Sequence, residues 1–136
     1  SAASDVYKRQ HYSSGDIYFI QRGYAARGID GAYAEDYCYL LSRALFSDPV
    51  AYAKALARST ADDEAVQTLI MGGTAYGADY YPADCETAVS ALDAAISANT
   101  LTAEETGWAK LLRYYLANPN DGYYADYPKT PAELEN

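Results

Sequence analysis

The sequence predicts an all-α domain, and three observations lead to that fold class. Apolar side chains recur at three- and four-residue intervals, as in the stripe of Cys38, Leu41 and Leu45, which is the period of an amphipathic helix. Residues suited to helix starts precede several such stripes, for example Asp48 followed by Pro49. Alternation of apolar and polar residues, the pattern of a half-buried strand, is not sustained in any segment of the sequence.

The N-terminal half of the chain is expected to form a short helix and two full ones. Residues 16–27 combine an apolar cluster with Gly23 and are compatible with a strand or a short helix, of which we favour the helix. The stripe described above predicts an amphipathic helix over about residues 30–46. The N-cap acceptor Asp48 and the proline after it predict the next helix, which runs to about Arg58.

Two further helices are indicated by their start and stop residues. The acidic residues 62–64 complement the dipole at a helix start, and we expect that helix to end at residues 72–73 or at Gly77. A loop over residues 80–84 then leads to a helix that ends at Asn99.

The clearest helix start is a capping box formed by Thr102 and Glu105. The Thr102 hydroxyl can accept a hydrogen bond from the Glu105 amide, while the Glu105 carboxylate reaches back to the Thr102 amide. The helix cannot continue past Pro119, and the sequence beyond it shows no sustained periodicity. We therefore predict an irregular tail over residues 119–136.

The length of 136 residues, half of them hydrophobic, suits one domain with one core. We expect this domain to span residues 11–118, with five to six helices in antiparallel hairpins. Residues 1–10 (SAASDVYKRQ) resemble adapter sequence translated at the ends of proteins predicted from metagenomic fragments, and we exclude them as non-native. Native sequence would then start near His11, and the true N-terminus, with any signal peptide or lipid-anchor cysteine, would be missing.

Residues 40–57 (LLSRALFSDPVAYAKALA) carry a resemblance to a known class of module. They resemble helical hairpins of secreted or lipid-anchored bacterial proteins of unassigned function, which are similar to HEAT-type repeats. The likeness covers about residues 32–118 and implies a stack of hairpins, but it identifies no catalytic or ligand-binding residues in this chain. Because two clean repeats do not align, an irregular helical bundle remains the alternative.

The chain is acidic, with a formal net charge of −9 from nineteen acidic and ten basic residues. Apart from Lys8 and Arg9 in the excluded segment, the basic residues are scattered singly, so they do not form a cluster for phosphate contacts, and we expect no direct nucleic-acid binding. No apolar run reaches the ~18 to 20 residues of a membrane-spanning helix. The acidity favours either a basic partner or solubility alone.

The sequence predicts no catalytic constellation, metal site or cofactor motif. His11 is the single histidine, so a Ser-His-Asp triad or a zinc site would need a residue beside the excluded segment. The glycines of residues 72–77 lack the Gly-Lys-Ser/Thr run of a phosphate-binding loop. We therefore predict that the chain is not an enzyme and binds no cofactor.

Cys38 and Cys85 lie on the apolar stripes of different predicted helices. If those helices pack together, the pair could form a disulfide worth ~3 to 4 kcal/mol, which would imply an oxidising compartment. Two buried thiols that act as small hydrophobic side chains are the alternative, and both interpretations stay open.

Tyrosine is unusually frequent, with sixteen residues in the chain. Its large rigid ring and hydroxyl suit surfaces that bind protein or sugar. Tyrosines on the apolar stripes are expected to pack at the edge of the core. The candidate binding residues, in the predicted loops and tail, are Tyr80, Tyr81, Tyr123, Tyr124 and Tyr127.

These features predict a non-enzymatic helical interaction or scaffold module that presents an acidic, tyrosine-rich surface to a protein partner, outside the bacterial cell or at its surface. One alternative is an acidic inhibitor, located in the cytoplasm, that mimics nucleic acid and blocks a basic enzyme. Another is a carbohydrate-binding module that holds a polysaccharide through the loop tyrosines.

Overall fold

The computed structural model describes residues 12–27, 32–58, 63–119, 128 and 130–135. Within these residues the regular elements are helices, so the predicted all-α fold class is confirmed. The helices number seven, slightly more than the five to six expected. In chain order they are α1 (Ser14–Arg27), α2 (Ala32–Ser47), α3 (Pro49–Arg58), α4 (Asp63–Tyr80), α5 (Pro82–Ala98), α6 (Ala103–Ala117) and α7 (Pro131–Glu135).

The core is one cluster of apolar side chains to which each helix from α1 to α6 contributes. Helix α2 packs along α4, α5 packs along α6, and α3 contacts both α1 and α6. Burying one large apolar side chain stabilises the fold by ~1.5 to 3 kcal/mol, so these contacts hold the helices together. The large apolar side chains that are fully buried are Ile17, Leu41, Leu45, Tyr52, Leu56, Ile70, Leu92, Leu111, Leu112 and Tyr115.

Three helix boundaries predicted from single residues are confirmed. Asp48 caps α3, since its Oδ1 accepts a hydrogen bond from the Ala51 amide at 3.0 Å. At the start of α6, the Thr102 hydroxyl accepts from the Glu105 amide at 3.1 Å, and the Glu105 carboxylate accepts from the Thr102 amide at 2.9 Å. Asn99 follows α5 in the left-handed conformation, with φ 57°.

The prediction that α4 ends at residues 72–73 or at Gly77 is wrong, because the helix continues through these glycines to Tyr80. The glycines allow α2 to approach α4 closely. A Cβ at Gly77 would overlap the Phe46 ring, 2.9 Å from its Cε2 and closer still to its Cζ. Glycine costs ~1 kcal/mol in a helix interior relative to alanine, and here the interhelical packing offsets that cost.

The predicted loop over residues 80–84 is also wrong. Tyr81 alone separates α4 from α5, because Pro82 occupies the first turn of α5, where its missing N–H requires no partner. The junction between the two helices is therefore short: Tyr80 is the last residue of α4, and Tyr81 is the junction itself.

The prediction of an irregular tail over residues 119–136 is wrong at Pro131–Glu135, which forms α7. The Thr130 hydroxyl accepts a hydrogen bond from the Glu133 amide at 3.2 Å, which caps this short helix. The Tyr115 hydroxyl donates to the Pro128 carbonyl, so the end of the chain is attached to α6. Residues 120–127 lie outside the described residues.

The close contact between α2 and α4 predicts that alanine destabilises the fold at Gly77 but not at Gly73, the two described glycine positions of α4. We expect Gly77→Ala to lower the free energy of unfolding by about 1 to 2 kcal/mol, because the new methyl group displaces the Phe46 ring. Gly73→Ala is the matched control, since its Cβ would lie 3.4 Å from Leu45 and Tyr52, in ordinary contact. Urea denaturation of both variants measures the difference. A Gly77→Ala protein as stable as the Gly73→Ala protein would contradict this packing.

The capping box predicts a stability loss when its hydroxyl is removed. We expect Thr102→Ala to lower the free energy of unfolding by about 1 kcal/mol, because the Glu105 amide loses its acceptor. Thr100→Ala is the control, since Thr100 is exposed and precedes the helix. Urea denaturation distinguishes the two, and equal stability of both variants would count against the cap.

The carboxylate of the same box predicts a dependence on pH. The hydrogen bond from the Thr102 amide lowers the pKa of Glu105. A lowered pKa in the folded state means that the carboxylate stabilises the fold at neutral pH, and that this contribution is lost as the pH falls through that pKa. We expect wild type to be more stable than Glu105→Gln at neutral pH, with the difference shrinking in acid. Urea denaturation across this pH range tests it, and a difference that does not change with pH would refute it.

Candidate interaction surface

The structure describes two of the five candidate tyrosines. Tyr80 ends α4 with 60% of its surface exposed, and Tyr81 follows it, half-buried. Tyr123, Tyr124 and Tyr127 lie outside the described residues, so their role in a binding surface stays a prediction.

Tyr80 and Tyr81 belong to a row of aromatic side chains, which we call the aromatic cluster: Tyr39, Phe46, Tyr76, Tyr80 and Tyr81. From α2, the ring centroids of Tyr39 and Tyr76 are 6.2 Å apart, and those of Tyr76 and Tyr80 are 4.6 Å apart. The row continues with Tyr80 and Tyr81 at 6.5 Å and ends with Tyr81 and Phe46 at 6.3 Å. Such separations are typical of favourable aromatic pairs. The cluster therefore crosses from α2 over the end of α4 to the start of α5.

A buried arginine lies within the aromatic cluster. The guanidinium carbon of Arg43 is 4.1 Å from the ring centroid of Tyr81 and 5.3 Å from that of Phe46. Its Nη2 donates to Oδ2 of Asp84 at 3.3 Å, and the arginine is only 7% exposed. Its Nε is buried and has no hydrogen-bond partner among the described residues. Arg43 thus joins α2 to the first turn of α5 by an ion pair and by cation–π contact.

The Arg43 ion pair ties the junction between α4 and α5 to α2. The guanidinium is buried but the Asp84 side chain is 46% exposed, so solvent screens the pair, and its main effect is to orient Asp84 and Tyr81. Tyr80 is adjacent in sequence to Tyr81, and it also contacts the Tyr76 ring on its own helix. The exposed Tyr80 ring is therefore held in place from two sides.

Sequence reasoning missed Tyr39, Phe46, Tyr76 and Arg43 as members of this site. The four-residue spacing of Tyr76 and Tyr80 could have predicted that these two rings lie together, because it places both on one face of a helix. That signal was hidden by the expectation that α4 would end at its glycines.

The surroundings of the aromatic cluster carry negative charge. Residues 59–109 contain nine acidic residues and no Lys, Arg or His. Of the described acids, Asp36, Asp79 and Glu86 are exposed, and they lie on α2, α4 and the first half of α5. The acidic surface predicted from composition is thus concentrated on one part of the chain, which the overall net charge did not reveal.

Neither cysteine is in a disulfide, so the candidate bond between Cys38 and Cys85 is not present in the structure. The Cys85 side chain lies beside Gly77 and the Phe46 end of α2. Cys38 is eight residues before Phe46, a distance of ~12 Å along a helix axis. A disulfide needs Cα atoms within ~7 Å, so the shared apolar character of the two stripes did not bring the sulfur atoms together.

Cys85 also lines a shallow groove between α5 and α6. The groove has a volume of ≈ 400 Å³, and its lining is apolar apart from Glu86, with Pro82, Cys85, Val89, Leu116 and Ala117 as the other residues. Burial raises the pKa of the Cys85 thiol to about 11, and the neighbouring charge of Asp84 adds to the shift. The thiol is therefore protonated and weakly nucleophilic near neutral pH.

In the part of the chain that the structure describes, no group of three or more His, Cys, Asp or Glu side chains could hold a metal ion. No helix there combines the length and apolar character needed to cross a bilayer.

Neither a protein-family model, nor a curated protein, nor a solved structure matches the chain. The resemblance to HEAT-like hairpins, and the extracellular location that it implies, therefore stay predictions.

The environment of Cys85 predicts slow alkylation in the folded protein. Because burial raises the pKa of Cys85 to about 11, we expect iodoacetamide at mildly alkaline pH to modify it far more slowly in the folded protein than after unfolding in urea. Intact mass follows the reaction, and Cys85→Ser identifies which adduct belongs to this residue. Unfolded protein prepared without reductant should take up two adducts. Rapid modification of folded Cys85, or no adduct after unfolding, would contradict the structure.

Proposed function

We propose that this chain is a non-enzymatic helical interaction module that binds a protein partner through the exposed edge of the aromatic cluster. The observation that carries this proposal is the exposure of Tyr80, 60%, on a row of rings anchored by the buried Arg43. A large aromatic side chain that is exposed yet held in position is the kind of residue that dominates the energy of protein interfaces.

The rigidity of the site supports binding because it lowers the entropic cost of association. Tyrosine has two side-chain torsions, and ring contacts already restrict those of Tyr80 in the unbound protein. A partner that covers the ring therefore gains apolar contact without first ordering a loop. The surface lies at a helix junction of only one residue, which limits backbone motion.

The charged groups inside the aromatic cluster are engaged with each other and not arranged for catalysis. Arg43 is paired with Asp84 and stacked on Tyr81. Such a group positions its neighbours, because a charge-assisted hydrogen bond and ring stacking fix the orientation of both partners. This supports a binding role for the surface.

The acid-rich stretch of residues 59–109 also favours a second candidate function. An acidic inhibitor that mimics nucleic acid would use these carboxylates to occupy the basic site of an enzyme. The two functions differ in the side chains that bind the partner. The inhibitor would bind mainly through its carboxylates, and the interaction module through its tyrosine rings.

The proposed surface predicts that ligands selected on the protein depend on Tyr80. We expect peptides selected from a random display library to bind Tyr80→Ala about tenfold or more weakly than wild type, because the variant removes the exposed ring. Phe19→Ala is the matched control, since Phe19 is 78% exposed on α1 and lies outside the aromatic cluster. Equal affinity for wild type and Tyr80→Ala, or a loss confined to Phe19→Ala, would refute the proposed surface.

A further inference from the structure

We propose that the partner is a basic protein segment that places an arginine side chain on the outer face of the Tyr80 ring, beside Asp79. This inference rests on the proposed function, because it identifies the chemistry of the ligand for the same surface. It is argued from the charge around the ring, from the way the protein holds its own arginines, and from the spacing of the rings.

The first step is the distribution of charge. Positions 59–109 contain nine acidic residues and no basic residue; Asp84 pairs with Arg43 and Asp93 with Arg113, both from outside the stretch. Asp79 is exposed and directly precedes Tyr80, and Asp36 is exposed three residues before Tyr39, on the same face of α2. Arg43 is the basic residue that contacts the aromatic cluster, and it is buried and paired with Asp84. The exposed edge of the cluster therefore attracts cations.

The second step is the chemistry that the protein already uses for its own arginines. Arg43 lies against the face of Tyr81 and is bonded to Asp84, so a ring and a carboxylate together hold one guanidinium. Arg58 likewise lies over the Tyr18 ring, at 4.2 Å from its centroid. At the surface, Tyr80 offers an exposed ring, and the exposed carboxylate of Asp79 directly precedes it in the chain. Arginine suits this pair better than lysine because its planar guanidinium stacks on a ring while bonding a carboxylate.

The third step is where the side chain can bind. The Tyr76 and Tyr80 centroids are 4.6 Å apart. A guanidinium between two rings needs about 7 Å, twice the ~3.5 Å of van der Waals contact, so it does not fit between them. The face of Tyr80 turned away from Tyr76 is the remaining place for the ligand, and it is compatible with the 60% exposure of this residue. The ligand therefore stacks on one ring and not in an aromatic cage.

The experiment compares two labelled synthetic peptides that differ only in charge. One alternates Arg with Gly, and the other has citrulline, which keeps the shape of arginine without its charge, at each Arg position. Fluorescence anisotropy gives their affinities for the full chain. We expect the Arg peptide to bind about tenfold or more tightly than the citrulline peptide, and its affinity to fall as salt is raised.

Variants of the protein locate the binding. We expect Tyr80→Ala to lower the affinity for the Arg peptide by about tenfold and Asp79→Asn to lower it by about threefold. Tyr80→Phe keeps the ring, so its affinity should stay near that of wild type. Phe19→Ala and Glu135→Gln are the controls for an exposed ring and an exposed carboxylate elsewhere. Circular dichroism of each variant confirms that it is folded.

The outcomes separate this inference from the proposed function. Equal binding of the Arg and citrulline peptides, or Arg-peptide binding that neither Tyr80→Ala nor Asp79→Asn reduces, overturns the basic partner. If a neutral peptide or a polysaccharide requires Tyr80 for binding and the Arg peptide does not, the proposal of a basic partner is wrong, but the proposed interaction surface still stands. If no ligand of any class depends on Tyr80, both proposals fail.

Discussion

Phe46 on α2 occupies the space that a side chain at Gly77 of α4 would need, and the arrangement of the candidate surface follows from that contact. With the two helices this close, the side chains near the end of α2 reach the junction between α4 and α5. Arg43, one turn before Phe46, can then meet Asp84 and Tyr81. A larger residue at position 77 would separate the helices and move the guanidinium away from both partners.

The ion pair of Arg43 and Asp84 contributes more to the orientation of neighbouring side chains than to the stability of the fold. Removing a guanidinium from water is costly, and a single carboxylate with two aromatic rings offsets only part of that cost. An apolar side chain at position 43 could pack there without the desolvation penalty. The arginine is better explained by what it orients, because a charged hydrogen bond specifies direction and apolar contact does not. It holds Asp84 and Tyr81, and through them the setting of the exposed Tyr80.

Charge is distributed unevenly over the helices, and this gives the surface its proposed preference. The exposed acids near the aromatic cluster lie on α2, α4 and α5, whereas the basic residues other than Arg43 in the described helices lie on α1, α3 and α6. Such a separation steers a cationic segment toward the tyrosine edge before contact is made. In the proposed complex, long-range attraction and short-range stacking act at the same place, and the Tyr80 ring fixes the position of the arginine.

The sequence by itself determined the fold class, and it located the starts of α3 and α6 and the end of α5, because Asp48, Thr102 and Asn99 act on backbone groups only a few residues away. It singled out Tyr80 and Tyr81 through their frequency and position. The tertiary structure decided that the glycines of α4 lie inside a helix, that Cys38 and Cys85 stay apart, and that Arg43 and Tyr76 join the surface. Each of these depends on which helices touch and at what distance, and residue spacing within one helix does not contain that information.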